Sequence, residues 1–334
     1  MNAASGSLIH ELRPKIIERR ERLRAAAHSV SAEYVNDLLV EIDATLQKID
    51  NGSFGLCETC HDPIEADRLE CNPLLRFCLD HLTEKQLRAH EQDLELATQI
   101  QTRLLPARDI TTRDWETHYR YQPAGVVGGD YCEIIASGDG QSLFFAVGDV
   151  AGKGVAASLL MTHLSAIFRS LVSLDLPLTE MMSRANRLFC ESTPATHYAT
   201  LVAGRATGDG VNLCNAGHCK PLLLRRDGTG SVDSTGLPLG LFCDSRYGDT
   251  HIQLDTGDNL VLYSDGITEA QDPAGGVYDE ERLIRSLQGY AEQDAIAMTQ
   301  GVLRDVARFC DTRPQQDDIT LLIVRRHSGR PSPR

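Results

Sequence analysis

LFFAVGDVAGKG, residues 143–154, is the stretch whose reading decides the fold. Its apolar run of aromatic and β-branched residues predicts a buried strand, which ends at Asp149 in a turn carrying Gly148, Gly152 and Gly154. Behind the turn, VAASLLMTHLSAIFRSL has the i, i+3, i+4 apolar spacing of a helix, so strand, acidic turn and helix follow without slack. A carboxylate held at a strand end beside a helix start suits a metal or a phosphate. A nucleotide P-loop does not fit, because it needs four residues between its first glycine and the Gly-Lys pair, then a Ser or Thr for magnesium. Gly148, Gly152 and Lys153 leave three residues between, and Gly154 stands where the hydroxyl belongs. Alone, Asp149 would be an ordinary acidic turn. Its meaning depends on partner carboxylates at other strand ends.

Those partners recur across the C-terminal two thirds of the chain. From Trp115 onward, short strands are predicted near 117–122, 130–136, 143–148, 198–206, 210–215, 220–226, 250–254, 258–264 and 319–325. Helices are predicted at 154–173, at 177–192 and as a pair across 279–311. Strands in series with inserted helices predict a two-sheet antiparallel sandwich covered by helices. Asp130 in VVGGDYCEII opens one strand, Asp265 in DNLVLYSDGITEA closes another, and Asp317 and Asp318 in QQDDITLLIV precede a third. Each taken singly reads as a turn former. Together with Asp149 they read as a cluster, and carboxylates gathered without His or Cys favour magnesium or manganese.

The N-terminal third has a different grammar. Two helices are predicted over residues 8–50, the second carrying Val35, Leu38, Leu39, Ile42, Leu46 and Ile49, with Ser31 as N-cap and Asn51-Gly52 as its stop. An antiparallel hairpin is the simplest way to bury both apolar stripes. Then Cys57 and Cys60 form a C-x2-C pair and Cys78 and His81 a C-x2-H pair, with seventeen residues between. Zinc wants four thiolate or imidazole ligands in a tetrahedron, and two such knuckles supply it; Cys71 is read as a small packing residue that could replace His81. Four protein ligands leave no open position for catalysis, so the zinc is structural and folds a segment too small for its own core. TEKQLRAHEQDLELATQIQTRLLP follows as a polar helix in which Leu87, Leu94 and Gln101 lie seven apart, a thin coiled-coil seam suited to a dimer contact or to docking onto the next domain.

Composition narrows the function classes. The formal charge of −14 is spread over both parts, with 12 basic and 18 acidic residues up to Ala107 and 21 and 29 after it, which disfavours nucleic-acid binding. No apolar stretch approaches membrane-spanning length and the N-terminus lacks the apolar core of a signal peptide, so no membrane partner is expected and the expected location is the cytoplasm. The ten cysteines are accordingly read as reduced thiols or metal ligands. The tail RRHSGRPSPR is expected to be disordered.

Two family resemblances follow from these motifs. EIDATLQKIDNGSFGLCETCHDPIEADRLE with FCLDH, within residues 30–85, resembles the DksA/TraR class of zinc-finger proteins, which pair a helical hairpin with a C4-type finger and bind RNA polymerase. Here His81 stands at the usual fourth cysteine, and the hairpin tip AAAHSVSAE lacks that family's acidic residues. GGDYCEII, GDVAGKG, NAGHCKPLLLRRDG, TGLPLGL, GDNLVLYSDGITEA and DDITLLIV, in this order, resemble the SpoIIE/RsbU branch of the PPM metal-dependent serine/threonine protein phosphatases over residues 93–326.

The second resemblance implies an α+β fold: a PPM-type α-β-β-α antiparallel sandwich, preceded by the helical hairpin with its zinc finger and a linker helix. The implied division is 1–51 hairpin, 52–83 finger, 84–106 linker, 110–327 phosphatase domain and 328–334 tail. It also implies two Mn2+ or Mg2+ ions, with Asp149 the catalytic residue bridging both, the Val150 carbonyl a further ligand, Asp265 and Asp317 completing one metal and Asp130 near the other; Asp318 is the alternative to Asp317. A hydroxide between the metals would attack phosphorus, and Ala151 occupies the position of a possible general-acid histidine in eukaryotic relatives. The implied substrate is a phosphorylated STAS-type anti-anti-sigma protein, under control of the zinc module, with a homodimer through the linker helix or hairpin. The competing expectation is a non-catalytic RNA polymerase-binding or partner-binding regulator that uses the fold as a scaffold. Cys219 and Arg225, His218 and Lys153 are left without a role, the first pair because an apolar strand rather than an anion cradle separates them.

Overall fold

The computed structural model describes residues 3–26, 32–81, 84–194 and 196–327, in two compact units, 1–93 and 94–334. Ser31, part of the hairpin tip and the tail 328–334 lie outside the described residues.

In the first unit, α1 (Ala3–Ala26) and α2 (Ala32–Asp50) pack together. Leu12 and Ile16 of α1 and Ile42 and Leu46 of α2 form one buried cluster with Cys57, Ile64, Leu69 and Cys78. The helical spacing of these side chains puts them on facing stripes, and the finger residues close the end of the stripe. Gly52, at φ +78°, ends α2 in the left-handed conformation that glycine adopts without a Cβ penalty. A short helix α3 (Ala66–Cys71) and a 3-10 turn (Leu79–His81) carry the finger. The helix α4 (Glu84–Leu104) contains the boundary between the units.

The second unit is four-layered. Its strands are β1 (Asp109–Thr111), β2 (Trp115–Gln122), β3 (Asp130–Ala136), β4 (Leu143–Val150), β5 (Ala199–Thr207), β6 (Gly210–Ala216), β7 (Leu222–Arg225), β8 (Gly228–Ser231), β9 (Thr250–Ile252), β10 (Asn259–Tyr263) and β11 (Ile319–Arg326). Its helices are α5 (Gly154–Val172), α6 (Leu178–Ser192), α7 (Asp265–Thr268), α8 (Asp279–Gly289) and α9 (Ala295–Cys310). One antiparallel sheet runs β1-β2-β11-β10-β7-β8 and the other β3-β4-β5-β6-β9. The expected sandwich and its major elements are present; β1, β8 and α7 were not expected, being too short to show a period.

Side-chain alternation builds the layers. Along β4, Phe145 and Val147 enter the core between the sheets with Trp115, Leu213, Leu262 and Leu322. Phe144, Ala146 and Val150 face α5 and α6 and meet Phe168, Met181 and Phe189. A strand covered on both faces must be apolar throughout, which is why residues 143–147 read as an unbroken run. Gly204 pairs directly with Phe145, and a Cβ on it would lie 2.2 Å from the phenyl ring, so no larger residue fits opposite. On the outer side of the other sheet, Val261, Leu321 and Ile323 pack on Leu283, Met298 and Val302 of α8 and α9.

Two expectations are corrected. Among the described residues α5 is long and apolar enough, by length and composition, to cross a membrane, but here Met161, Leu164 and Phe168 are buried in the α5–α6 core. Cys190 of α6 and Cys243 form a disulfide with Cα atoms 5.4 Å apart, whereas the sequence reading had every cysteine as thiol or ligand. The fold brings together two segments 53 residues apart because Asn186 donates to the carbonyls of Phe242 and Cys243 at 2.8 and 3.1 Å and accepts from Gly240 N at 2.9 Å. Such a pairing has no short-range signature.

Candidate active site and candidate metal cluster

Strand register brings the acidic residues together. Asp130, first in β3, lies directly opposite Asp149 near the end of β4. Asp265 opens α7 just after β10, and Asp317 and Asp318 immediately precede β11, which pairs antiparallel with β10. Ser264 stitches these ends: its N donates to Thr320 O at 3.0 Å and its Oγ accepts from Thr320 N at 2.9 Å.

The two neighbouring aspartates at β11 have different surroundings. Asp318 is buried, and its carboxylate accepts from Ala124 N at 2.8 Å, Gly129 N at 2.6 Å and Asp130 N at 3.2 Å. It clamps the loop between β2 and β3. Asp317 is half-exposed, accepts from Lys153 Nζ at 2.8 Å, and raises the carboxyls of Asp149 and Asp265 by its charge. Asp318 is committed to the loop by these bonds, while the charge of Asp317 acts on both Asp149 and Asp265.

The electrostatics of the cluster are those of crowded, partly buried carboxylates. Burial, reinforced by Asp265, Asp317 and Asp318 and opposed by Lys153, pushes the Asp149 carboxyl up to about 7. Burial and Asp317 hold Asp265 above the usual carboxylate range. Asp130, 3 % exposed, is raised well above it, mainly by burial, although Thr320 Oγ1 donates to its Oδ2 at 2.6 Å. Like charges confined at strand ends are unfavourable unless neutralised, and oxygen donors call for a hard cation. Gly129 makes room at this point: a Cβ there would lie 3.2 Å from the Val150 carbonyl and 3.5 Å from Asp149 Oδ1, so a glycine keeps both oxygens open. The carboxylates thus fit Mg2+ or Mn2+, which are commonly held by a few carboxylates and several waters.

The residues left without a role also find places. His218 is buried, its Nδ1 2.9 Å from Thr200 Oγ1 and its backbone held by Asn215 at 2.9 and 3.2 Å, and burial lowers its pKa to about 4. Burial thus disfavours its charged form, and its buried Nε2 has no hydrogen-bond partner among the described residues. Burial and the nearby charges of Asp265, Asp130 and Asp149 push the Cys219 thiol up to about 12, which removes it as a nucleophile.

Sequence reasoning missed Gln101. Its buried side chain donates to Gly128 O at 2.7 Å and accepts from Gly128 N at 3.2 Å, gripping the residue two before Asp130. The heptad reading placed Gln101 in a seam suited to a dimer contact or to docking onto the next domain, and Gln101 docks, while Leu87, Leu96 and Ile100 of α4 are exposed. The lone polar residue in an apolar register was the available signal.

In the first unit, one ligand atom from each of Cys57, Cys60, Cys78 and His81 lies within 4.8 Å of the others. Among the described residues no other group of three or more potential ligands meets this spacing, so the carboxylates stand wider. Cys78 Sγ is 3.8 Å from Cys60 Sγ and 3.2 Å from His81 Nδ1. Cys71 is exposed and outside the group, neither packing residue nor ligand. Three sulfurs and one imidazole fit zinc.

Comparison with known proteins agrees with both units. The chain is 25% identical over 240 residues to phosphoserine phosphatase RsbU of Bacillus subtilis, covering 71% of this chain and 70% of RsbU. It is 26% identical over 267 residues to protein IcfG of Synechocystis, covering 70% of this chain and 42% of IcfG. A stretch of 51 residues is 39% identical to the RNA polymerase-binding transcription factor DksA of Haemophilus influenzae, 15% of this chain and 35% of DksA. Among solved structures, the RsbU and RsbW domains of a Mycobacterium tuberculosis protein superpose with a TM-score of 0.58 at 26% identity, over 67% of this chain and 63% of that one. The SiaA-PP2C domain of Pseudomonas aeruginosa gives 0.63 at 18% identity, over 72% and 98%. The four-layer fold is therefore that of PP2C domains. The model of the stage II sporulation protein E family matches residues 139–327, more than half of the chain, and the protein belongs to the SpoIIE family.

Proposed function

We propose that the chain is a metal-dependent protein phosphatase that hydrolyses phosphoserine or phosphothreonine on a regulatory protein. The observation that carries this reading is the convergence of Asp149, Asp265 and Asp317 at strand ends of a PP2C fold, each within range of another's charge. Relatives named phosphoserine phosphatase, RsbU and RsbP of Bacillus subtilis, support it.

Asp149, Asp265, Asp317 and the Val150 carbonyl would hold the ions, with Asp130 behind them. A pair of Mn2+ or Mg2+ ions supplies Lewis-acid charge and water activation for hydrolysis at phosphorus. The chain's part is positioning. Asp318 and Gln101 fix the Gly128–Asp130 backbone from two sides, and Lys153, 70% exposed at its side chain, places a positive charge beside Asp317 where a phosphate would enter. No side-chain nucleophile is required.

The likeness of the finger to DksA is one of sequence over 51 residues, and we assign the finger a structural zinc and a regulatory role toward the phosphatase unit. The substrate is taken to be a phosphorylated STAS-type regulator, and a homodimer is taken to form through the linker helix or hairpin. In the cytoplasm, the location we assign, Cys190 and Cys243 would be exposed to a reducing thiol pool. The test is release of phosphate from a phosphoserine peptide with Mn2+. Activity in the wild type and at least a hundredfold loss in Asp149→Asn are expected, on the scale of about 10² or more for removing one strong electrostatic contributor. Equal activity in the variant would refute the assignment.

A further inference from the structure

Besides the carboxylate cluster, the second unit has a cleft of about 420 Å³ between α7, the C-terminal half of α9 and the loop leading into β11. It shares Lys153, Gly266 and Asp317 with the cluster, so the two are continuous. A larger cleft of about 1000 Å³, lined by residues of β7, β8 and β9, includes none of the carboxylates.

The smaller cleft has a mixed lining. Its apolar part is Leu303, Val306 and Ala307 of α9 with Ile319. Along its rim stand Gln122, Gln271 and Gln316, whose side-chain amides make no hydrogen bond among the described residues. A carboxamide both donates and accepts, which is what the N–H and C=O of an extended peptide require. Charges in the lining nearly balance, Lys153 and Arg313 against Glu269, Asp311 and Asp317, so the cleft does not select a strongly charged segment.

Resting on the phosphatase reading, we infer that this cleft receives the substrate polypeptide on one side of its phosphorylated residue. The segment lies extended, its main chain pairs with the three glutamines, and an apolar side chain next to the phosphoresidue sits against Leu303 and Ala307. The occupant is a polypeptide rather than a small phosphate monoester, because a small ester filling the carboxylate cluster leaves the glutamines and the apolar floor unused.

Ala307→Trp tests this, since Ala307 is exposed and the indole fills the cleft without disturbing the core. The substrates are a phosphoserine peptide with leucine beside the phosphoresidue, and p-nitrophenyl phosphate, each with Mn2+. The expected result is a peptide KM raised by about tenfold or more, the scale of one lost apolar subsite, with p-nitrophenyl phosphate turnover unchanged. Gln271→Ala should shift KM in the same direction. Unchanged peptide KM in both variants overturns the proposal. Binding of the labelled peptide to wild type and Ala307→Trp by fluorescence anisotropy, with mass-resolved alkylation of Cys310 in the cleft, separates the two readings. Peptide that binds and shields Cys310 in the wild type, but not in Ala307→Trp, supports the cleft even if no phosphate is released, in which case the phosphatase reading alone fails. Peptide that binds equally to both proteins and leaves Cys310 reactive sinks the cleft alone.

Discussion

At the scale of the residue, Asp317 and Asp318 carry the sharpest contrast. Asp318 is an acceptor for three backbone N–H groups, two of which, those of Gly129 and Asp130, are buried and would be orphaned by Asp318→Ala; a loss of about 3 kcal/mol is expected, read as a lowered denaturant midpoint. Asp317→Ala removes an exposed ion pair with Lys153, worth at most about 1 kcal/mol, and the bond its Oδ1 accepts from Asp318 N at 3.0 Å; it should lower the midpoint less than Asp318→Ala while abolishing Mn2+-dependent hydrolysis. The reverse pattern would exchange their roles. Asp149 gives a second prediction. A carboxyl whose folded pKa is raised from 3.8 to about 7 binds its proton more tightly folded than unfolded. The Asp149 contribution to folding of the metal-free protein therefore weakens as pH rises from about 4 to about 7, the interval between the two values. In chelator, Asp149→Asn should gain Tm relative to wild type as pH rises from 5 to 7.5, a comparison that cancels the opposite contribution of His218, whose pKa burial lowers to about 4. A wild-type advantage that grows with pH would contradict it. The existence of the acidic cluster was legible in the sequence because each aspartate sits beside a long apolar strand. Which of the two adjacent aspartates faces the cluster was not, since both occupy the same strand boundary.

Among elements, the last turn of α4 is the least expected participant. A seven-residue spacing of Leu87, Leu94 and Gln101 describes a stripe, but spacing does not say what the stripe meets. Gln101 meets the backbone of Gly128, and Asp318 holds Gly129 from the other side. Gly128 has little room, because a Cβ there would lie 2.1 Å from Asp318 Oδ2 and 2.3 Å from the Tyr121 hydroxyl. Gln101→Ala leaves a buried N–H and C=O unpaired, a loss of about 1–3 kcal/mol by denaturation. It should also lower kcat, because the Gly129–Asp130 backbone loses one of its two anchors, whereas Gln101→Glu, which can still accept from Gly128 N, should retain part of both. Normal kcat in Gln101→Ala would mean that the loop needs only Asp318. The disulfide is a second long-range tie: closing a 53-residue separation stabilises the fold by about 4 kcal/mol in the chain-entropy account. Neither tie was legible, because both join segments with no shared period or motif. Strands buried on both faces, such as β4, were the most legible elements, their continuous apolar runs being forced by the layers on either side.

On the scale of the whole molecule, the chain combines two units whose stability has different sources. The first has a modest core, closed by a cluster of three sulfurs and one imidazole. The second buries three apolar layers around two sheets and uses register to carry carboxylates to one end. The four-layer sandwich could be read from ordered motifs, since long apolar strands ending in carboxylates recur through the second unit. The cleft beside Asp317 could not, because its lining comes from segments spread between residues 122 and 319. Under the proposed function, the second unit's carboxylates would hold two cations, and Asp149 would be needed for both. Isothermal titration of zinc-loaded protein with Mn2+ addresses it directly. Two Mn2+ per chain in the wild type, and strong weakening of both in Asp149→Asn with the fold retained, are predicted. Undetectable Mn2+ binding in the wild type, or a variant that still binds two ions as tightly, would contradict the account.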